Sequence, residues 1–306
     1  MLRYILRRLF VAIPTMLVII TLAFFLMRAA PGGPFDTDRG LPEEVEANLN
    51  AKYHLDEPLL QQYGRYLWDI ARWDFGPSFQ YIDFNVNELI ANGLPVSLTL
   101  GITAIAIALV IGFLIGTLAA LKQNSFIDYT SMTFAMTGIS IPNFVVAPLM
   151  VLVFAIYNGW LSAGWEDGDL RNMVLPIFSL ALVQVAYIAR ITRGSMIEVL
   201  RSNYIRTARA KGIPKHTIIF RHALKPALLP VVSYLGPATA AVLTGSVVIE
   251  QIFQIPGIGR LFVQGALNRD YTLVMGIVIF YGILIIGFNF IVDIIYAWLD
   301  PKIRYS

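Results

Sequence analysis

No cysteine occurs anywhere in the 306 residues. That excludes disulfides, zinc-thiolate sites and thiol nucleophiles. Charge is also scarce, with 14% Asp, Glu, Lys and Arg and only three histidines. His54, His216 and His222 all fall outside the apolar runs, so a membrane-embedded Ser-His pair cannot be assembled from them. No catalytic constellation or metal site is expected. A Gly-x-x-x-x-Gly-Lys-Ser/Thr phosphate loop is missing too, so ATP has no ordinary binding site in this chain. The formal charge of +3 is too small to suggest nucleic-acid binding, and its distribution is more informative than its sum.

Hydrophobic residues are abundant, at 57%. Apolar runs of about 18 residues or more recur, each long enough at 1.5 Å per helical residue for a hydrocarbon layer of roughly 30 Å. A buried helix of a soluble protein seldom stays apolar all round for such a length. The expectation is an all-α integral membrane protein with six transmembrane helices, near residues 9–28, 95–121, 129–158, 173–192, 227–250 and 273–298. The first run is longer than a signal-peptide core, and APGGP is a weak cleavage site, so it is expected to be a retained span over residues 1–30. Pro142, Pro148, Pro176, Pro230 and Pro237 predict kinks, which membrane helices tolerate where neighbours satisfy the freed backbone groups.

Orientation follows from the basic residues on short loops. With the N-terminus cytoplasmic, that side receives Arg3, Arg7, Arg8, Lys122, Arg190, Arg193, the Arg201–Lys225 cluster, Lys302 and Arg304. Both termini, including the 299–306 tail, are therefore expected in the cytoplasm. Residues 31–94 carry eleven carboxylates against four basic residues and belong outside as a small extracytoplasmic cap. LPEEVEANLNAKYHL and EPLLQQYGRYLWDIARW have helical spacing, whereas GPSFQYIDFNVNELI suggests a turn, extended chain and a short helix. The cap's aromatics are expected mostly to fill its own core.

The 95–298 core holds a cytoplasmic insert, 193–225, with the densest positive charge in the chain. In GSMIEVLRSNYIRTARAKG, Met196, Leu200, Tyr204 and Ala208 recur every fourth residue, while Arg201, Arg206 and Arg209 project elsewhere; one helix is expected. Gly212, Ile213 and Pro214 should stop it, and KHTIIFRHALK can start a second short helix. The inside rule and lipid headgroups explain the charge. A rigid Gly-Ile-Pro turn adds a reason to expect a protein-docking surface. Nucleic acid is disfavoured, because a short loop tied to two spans has little freedom to enter a groove.

This insert resembles the coupling loop of permease subunits of binding-protein-dependent ABC importers, whose general form is Glu-Ala-Ala, three residues, Gly, then an apolar stretch ending in Leu-Pro. Arg206 and Thr207 replace the first two motif residues, Ala208 and Gly212 match, and Pro226 lies one residue further along. No role is carried over for the Glu. RTARAKG with RHALKPALLP is similar to the peptide-transporting branch, and LRRLFVAIPTML, LAALKQNSFIDY, MTGISIPNFVVAPLM, ARITRGSMIEVL, VIEQIFQIPGIGRLFVQGALNRDY and LDPKIRY extend the likeness along the chain. The sequence resembles the B-type subunits of oligopeptide importers, with dipeptide and nickel importers as close rivals.

The resemblance implies an inner-membrane peptide permease paired with a homologous C-type subunit. Two ATPase subunits, carrying ATP and Mg, lie below, and an extracytoplasmic peptide-binding protein delivers substrate. It also implies that Tyr204, Arg206, Thr207, Ala208, Arg209, Gly212 and Pro214 couple to an ATPase. Ser140, Asn143, Thr239, Thr244 and Ser246 are pathway candidates by polarity and small size, and equally suit interhelical hydrogen bonding. Membrane lipid is the remaining partner. An ion-coupled secondary transporter is the alternative, but Glu250, Asn289 and Asp293 are thin equipment for it, and a structural pairing of Asp293 with Arg190 is the plainer reading. Gly112 and Gly116 form a Gly-x-x-x-Gly that permits close helix contact, although such matches arise by chance. QIPGIGRLFVQGALNRDY suggests a re-entrant or surface turn with a short helix, in a position to meet the binding protein.

Overall fold

The computed structural model describes residues 2–29, 33, 42–165 and 170–299, and of residues 2–9, 43, 46, 170 and 296–299 it describes only the backbone. The remainder of the 299–306 tail, with Lys302 and Arg304, and much of the first part of the cap lie outside the described residues. Among those described, structure is helical, with one isolated bridge between Pro77 and Asn85. Five helices are long and apolar enough to cross a membrane, and a sixth crossing exists if a sharply bent pair counts as one span.

The chain divides into two compact units: Leu2–Val96 with Pro256–Leu284, and Ser97–Ile255 with the chain from Ile285 onward. In the former, α1 (Leu2–Ala29) is followed by α2 (Glu43–Lys52) and α3 (Leu59–Ala71). Helix α4 (Val86–Leu121) starts here and runs 36 residues, about 54 Å at the usual rise. That exceeds the hydrocarbon thickness, so the expected short helix before residue 95 is the first turns of the span itself.

Phe24 of α1 is buried against Tyr271 and Met275, with Tyr63, Tyr66 and Phe79 packed around them. Its ring lies 5.3 Å from Tyr63 and 5.6 Å from Tyr66, distances at which aromatic pairs attract beyond simple area burial. Burial raises the Tyr66 hydroxyl pKa well above its ordinary value. Trp68 and Trp73 remain exposed, and Arg72 stacks 4.4 Å above Trp68. Cap aromatics thus divide between core and surface. Asp270, fully buried, caps α12 (Tyr271–Leu299) by accepting from Leu273 N at 3.1 Å and Thr272 Oγ1 at 3.0 Å. Its other oxygen accepts from Ser78 Oγ and, at 3.3 Å, from Gln80 N, which fastens the turn before α4.

In the second unit α5 (Phe126–Ser140), α6 (Asn143–Met150) and α10 (Leu224–Ile252) all pack on α7 (Val174–Leu200). The expected single span 129–158 is instead broken, bending by 104° between Ser140 and Asn143. Proline disfavours the helical region for the residue before it, and Ile141 is extended at φ −97°, ψ 119°, while Pro142 itself has no N–H to continue the ladder. After Pro148, residues Val151–Tyr157 widen into π-helical turns. Pro230 and Pro237, by contrast, lie inside a continuous α10.

The Gly112–Gly116 expectation is met. A Cβ on Gly112 would sit 2.8 Å from the Val185 carbonyl, and one on Gly116 would collide with the Ala189 carbonyl. Small residues let α4 lie backbone-close on α7.

Candidate coupling site

Helix α7 does not continue through residue 210 as one helix. Arg201 closes it, Ser202 turns extended at φ −65°, ψ 155°, and α8 (Asn203–Ala210) begins afresh. The Ser202 hydroxyl donates to Val199 O at 2.6 Å, which secures the turn. A four-residue apolar spacing had joined the two helices; Ser competes for backbone groups in this way and favours breaks.

The restart resets which side chains face inward. Ile205 is fully buried and Ala208 nearly so, in a cluster with Ala120, Met196, Ile218, Ala223 and Ala227. Tyr204 is 48% exposed, so it leaves the expected apolar stripe. Ala208, expected to couple to an ATPase, is buried in the chain's own core. Ile205 was missed because its neighbours Tyr204 and Arg206 obscure a face only two residues wide.

At its far end α8 stops in a Schellman arrangement. Gly212 is left-handed at φ +74°, its N–H donates to Arg209 O at 3.0 Å, and Ile213 N donates to Ala208 O at 3.2 Å. This agrees with the expected Gly-Ile-Pro stop. Pro214 then starts a new helix, which runs from Lys215 through π-helical Ile218–Ala223 directly into α10, rather than forming a separate short helix. Both ends of α8 are therefore tied to long helices, and its exposed side presents Tyr204, Arg206 and Thr207, with Arg209, Gly212 and Pro214 exposed at its end.

A second tie was invisible in sequence. Arg193 of α7 donates Nε to Asp128 Oδ1 at 2.6 Å and Nη2 to Oδ2 at 2.7 Å. Asp128 also accepts from Asn124 N at 2.9 Å, so the start of α5 is locked to the Leu200 end of α7.

The pathway candidates lie on α5, α6 and α10, and α6 packs on α10. Ser140 and Thr239 donate back to Met136 O and Leu235 O, and exposed Thr244 donates to Ala240 O. Ser246 is buried and donates to Leu243 O. Asn143 differs: its Oδ1 is buried, with no hydrogen-bond partner among the described residues, beside the break after Ser140. Arg190 lies over the Tyr187 ring at 5.5 Å, and Asn289 donates to Ile285 O at 2.8 Å.

A broken span, helices packed on α7 and a short helix held between two long ones are the fold of an ABC transporter membrane subunit. It is similar to that of the MetNI methionine ABC transporter in inward-facing conformations, with TM-score 0.57 and 19% identity over 69% of this chain and 96% of that one. Residues 112–305 match the binding-protein-dependent transport system inner membrane component family, residues 1–101 match the corresponding N-terminal family, and the chain belongs to that family. It is 60% identical to the oligopeptide transport system permease protein OppB of Salmonella typhimurium over 306 residues, all of both chains. It is 47% identical to the dipeptide transport system permease protein DppB of Bacillus subtilis over 304 residues, 99% of this chain and 98% of that one. These relatives are transport permeases, and they give no support to an ion-coupled carrier.

Proposed function

We propose that this chain is one membrane-spanning half of an ATP-driven, binding-protein-dependent importer of oligopeptides. End-to-end similarity to an oligopeptide permease carries the reading, at 60% identity against 47% for the dipeptide relative. The other half is a homologous C-type permease, ATP and Mg reside on two ATPase subunits, and a peptide-binding protein delivers substrate from outside. Both termini lie in the cytoplasm of a bacterial cell, and the 31–94 cap with the 251–271 segment faces outward.

In this mechanism α8 rests on an ATPase through Tyr204, Arg206 and Thr207, with Arg209, Gly212 and Pro214 shaping its end. Ile205 and Ala208 transmit the push, because a close-packed interior moves as a unit whereas a melted loop would absorb the displacement. The α5–α6 break, with Ser140 and Asn143 on either side of it, and the polar residues Thr239 and Thr244 of α10 contribute to the pathway. Ser246 supports α10 from inside.

The test is an affinity pull-down of the chain from mildly solubilised native membrane with mass spectrometry of what accompanies it. Two ATPase-type subunits and a second six-span relative are expected. Recovery of the chain alone, active for transport without ATP, would remove the reading.

A further inference from the structure

Beside α8 lies a cleft of about 470 Å³, opening where the Leu121 end of α4 and the turn into α5 meet the Leu200 end of α7. Its apolar lining is Ala120, Leu121, Ile197 and Leu200, with Gln123 and Ser125 as neutral polar neighbours. Lys122, Arg201 and Arg209 also line it, one from each of three chain segments, and no carboxylate lines it among the described residues. Arg201 Nη2 donates to Gln123 Oε1 at 3.1 Å, which holds that guanidinium across the opening. Arg209 Nη2 donates to Leu200 O at 3.3 Å, so its side chain is drawn toward the cleft. Asp128 cannot neutralise these cations, since Arg193 already takes both its oxygens.

The exposed side of α4 that leads to Lys122 is apolar. Leu114 and Leu118 are 56% and 55% exposed on α4, and Lys122 follows at the same four-residue spacing. A greasy stripe that leads to Lys122, with Arg201 and Arg209 beside it in the cleft, matches one kind of molecule, an acyl chain bearing a phosphate. Basic pockets between membrane helices suit anionic headgroups for this reason.

We propose that the cleft binds the phosphate of an anionic phospholipid, with an acyl chain along α4, and that the bound lipid ties α8 to the ends of α4 and α7. The proposal needs the chain to lie in a membrane, and is independent of which solute it transports. A soluble phosphate shares the headgroup's chemistry but has no use for the apolar stripe.

The test titrates phosphatidylglycerol or phosphatidylcholine onto the detergent-purified complex and counts bound lipid by native mass spectrometry. Wild type should prefer phosphatidylglycerol. Lys122→Gln with Arg201→Gln should weaken that binding about fivefold for each charge removed. Lys122→Arg with Arg201→Lys should keep it, which separates charge from folding. Inorganic phosphate at matched concentration should not displace the lipid; displacement, with no preference between the two lipids, would assign the cleft to a soluble phosphate. Equal phosphatidylglycerol binding by wild type and the neutralised variant, or equal loss in both double variants, would overturn the proposal.

Discussion

Arg193 and Asp128, 65 residues apart in sequence, face each other through two parallel hydrogen bonds of 2.6 and 2.7 Å. The carboxylate is only 1% exposed. Arg193 itself stays 28% exposed, so the pair is part-buried and removing the guanidinium should cost about 1 to 3 kcal/mol, the range for charge-assisted hydrogen bonds. Arg193→Ala should therefore lower the thermal unfolding midpoint of the purified complex markedly. Arg193→Lys should recover part of the loss, because ammonium keeps the charge but cannot form the fork. Equal midpoints for wild type and Arg193→Ala would show that the pair does not hold α5 to α7.

Gly212 stands at φ +74°, and its N–H is a bonded donor. Proline can satisfy neither condition, so Gly212→Pro should unravel the end of α8. Ala208→Asp puts a charge into the apolar cluster beneath the same helix. Both variants should insert in the membrane at normal yield and lose co-purifying ATPase subunits. Gly212→Ala should be milder, destabilising by about 1 kcal/mol.

Ile205 is the deepest side chain that α8 contributes, with no exposed surface. Truncation to Ala should cost about 2 to 4 kcal/mol locally, and Ile205→Val about 1. Hydrogen exchange across residues 203–210 reports this directly: faster exchange is expected in Ile205→Ala, and unchanged rates would mean the cluster does not anchor α8.

Asp270 takes hydrogen bonds from Ser78, Gln80, Thr272 and Leu273. Replacing it with Ala strands two buried donors, the Ser78 hydroxyl and the Leu273 N–H, each costing about 1 to 3 kcal/mol. Limited proteolysis should then cut within residues 76–85, where wild type resists. Ser78→Ala alone should have a smaller effect, and resistance in Asp270→Ala would show that the turn is held by other means.

Features set by neighbouring residues were legible from sequence. Apolar length located the spans, Pro142 marked the weak point of the third, and Gly212–Pro214 marked the end of α8. Depth of the break at Ile141 was not legible, since a proline kink and a 104° bend begin from the same steric clash. Ser202 followed by Asn203 is a helix-start signal, but the spacing of Met196, Leu200 and Tyr204 argued against using it. Arg193–Asp128 and Asp270–Ser78 join residues 65 and 192 positions apart, and no local pattern encodes such partners. In the candidate coupling site the exposed basic residues were readable and the buried Ile205 was not, because burial depends on helices that the segment does not contain.

The most direct measurement of the central claim is uptake of a labelled oligopeptide by proteoliposomes holding the chain with its co-purified subunits. Uptake should require ATP and the binding protein together, and should vanish with Gly212→Pro while the chain itself remains inserted. Uptake that persists without ATP, or that survives Gly212→Pro at the wild-type rate, would contradict coupling through α8.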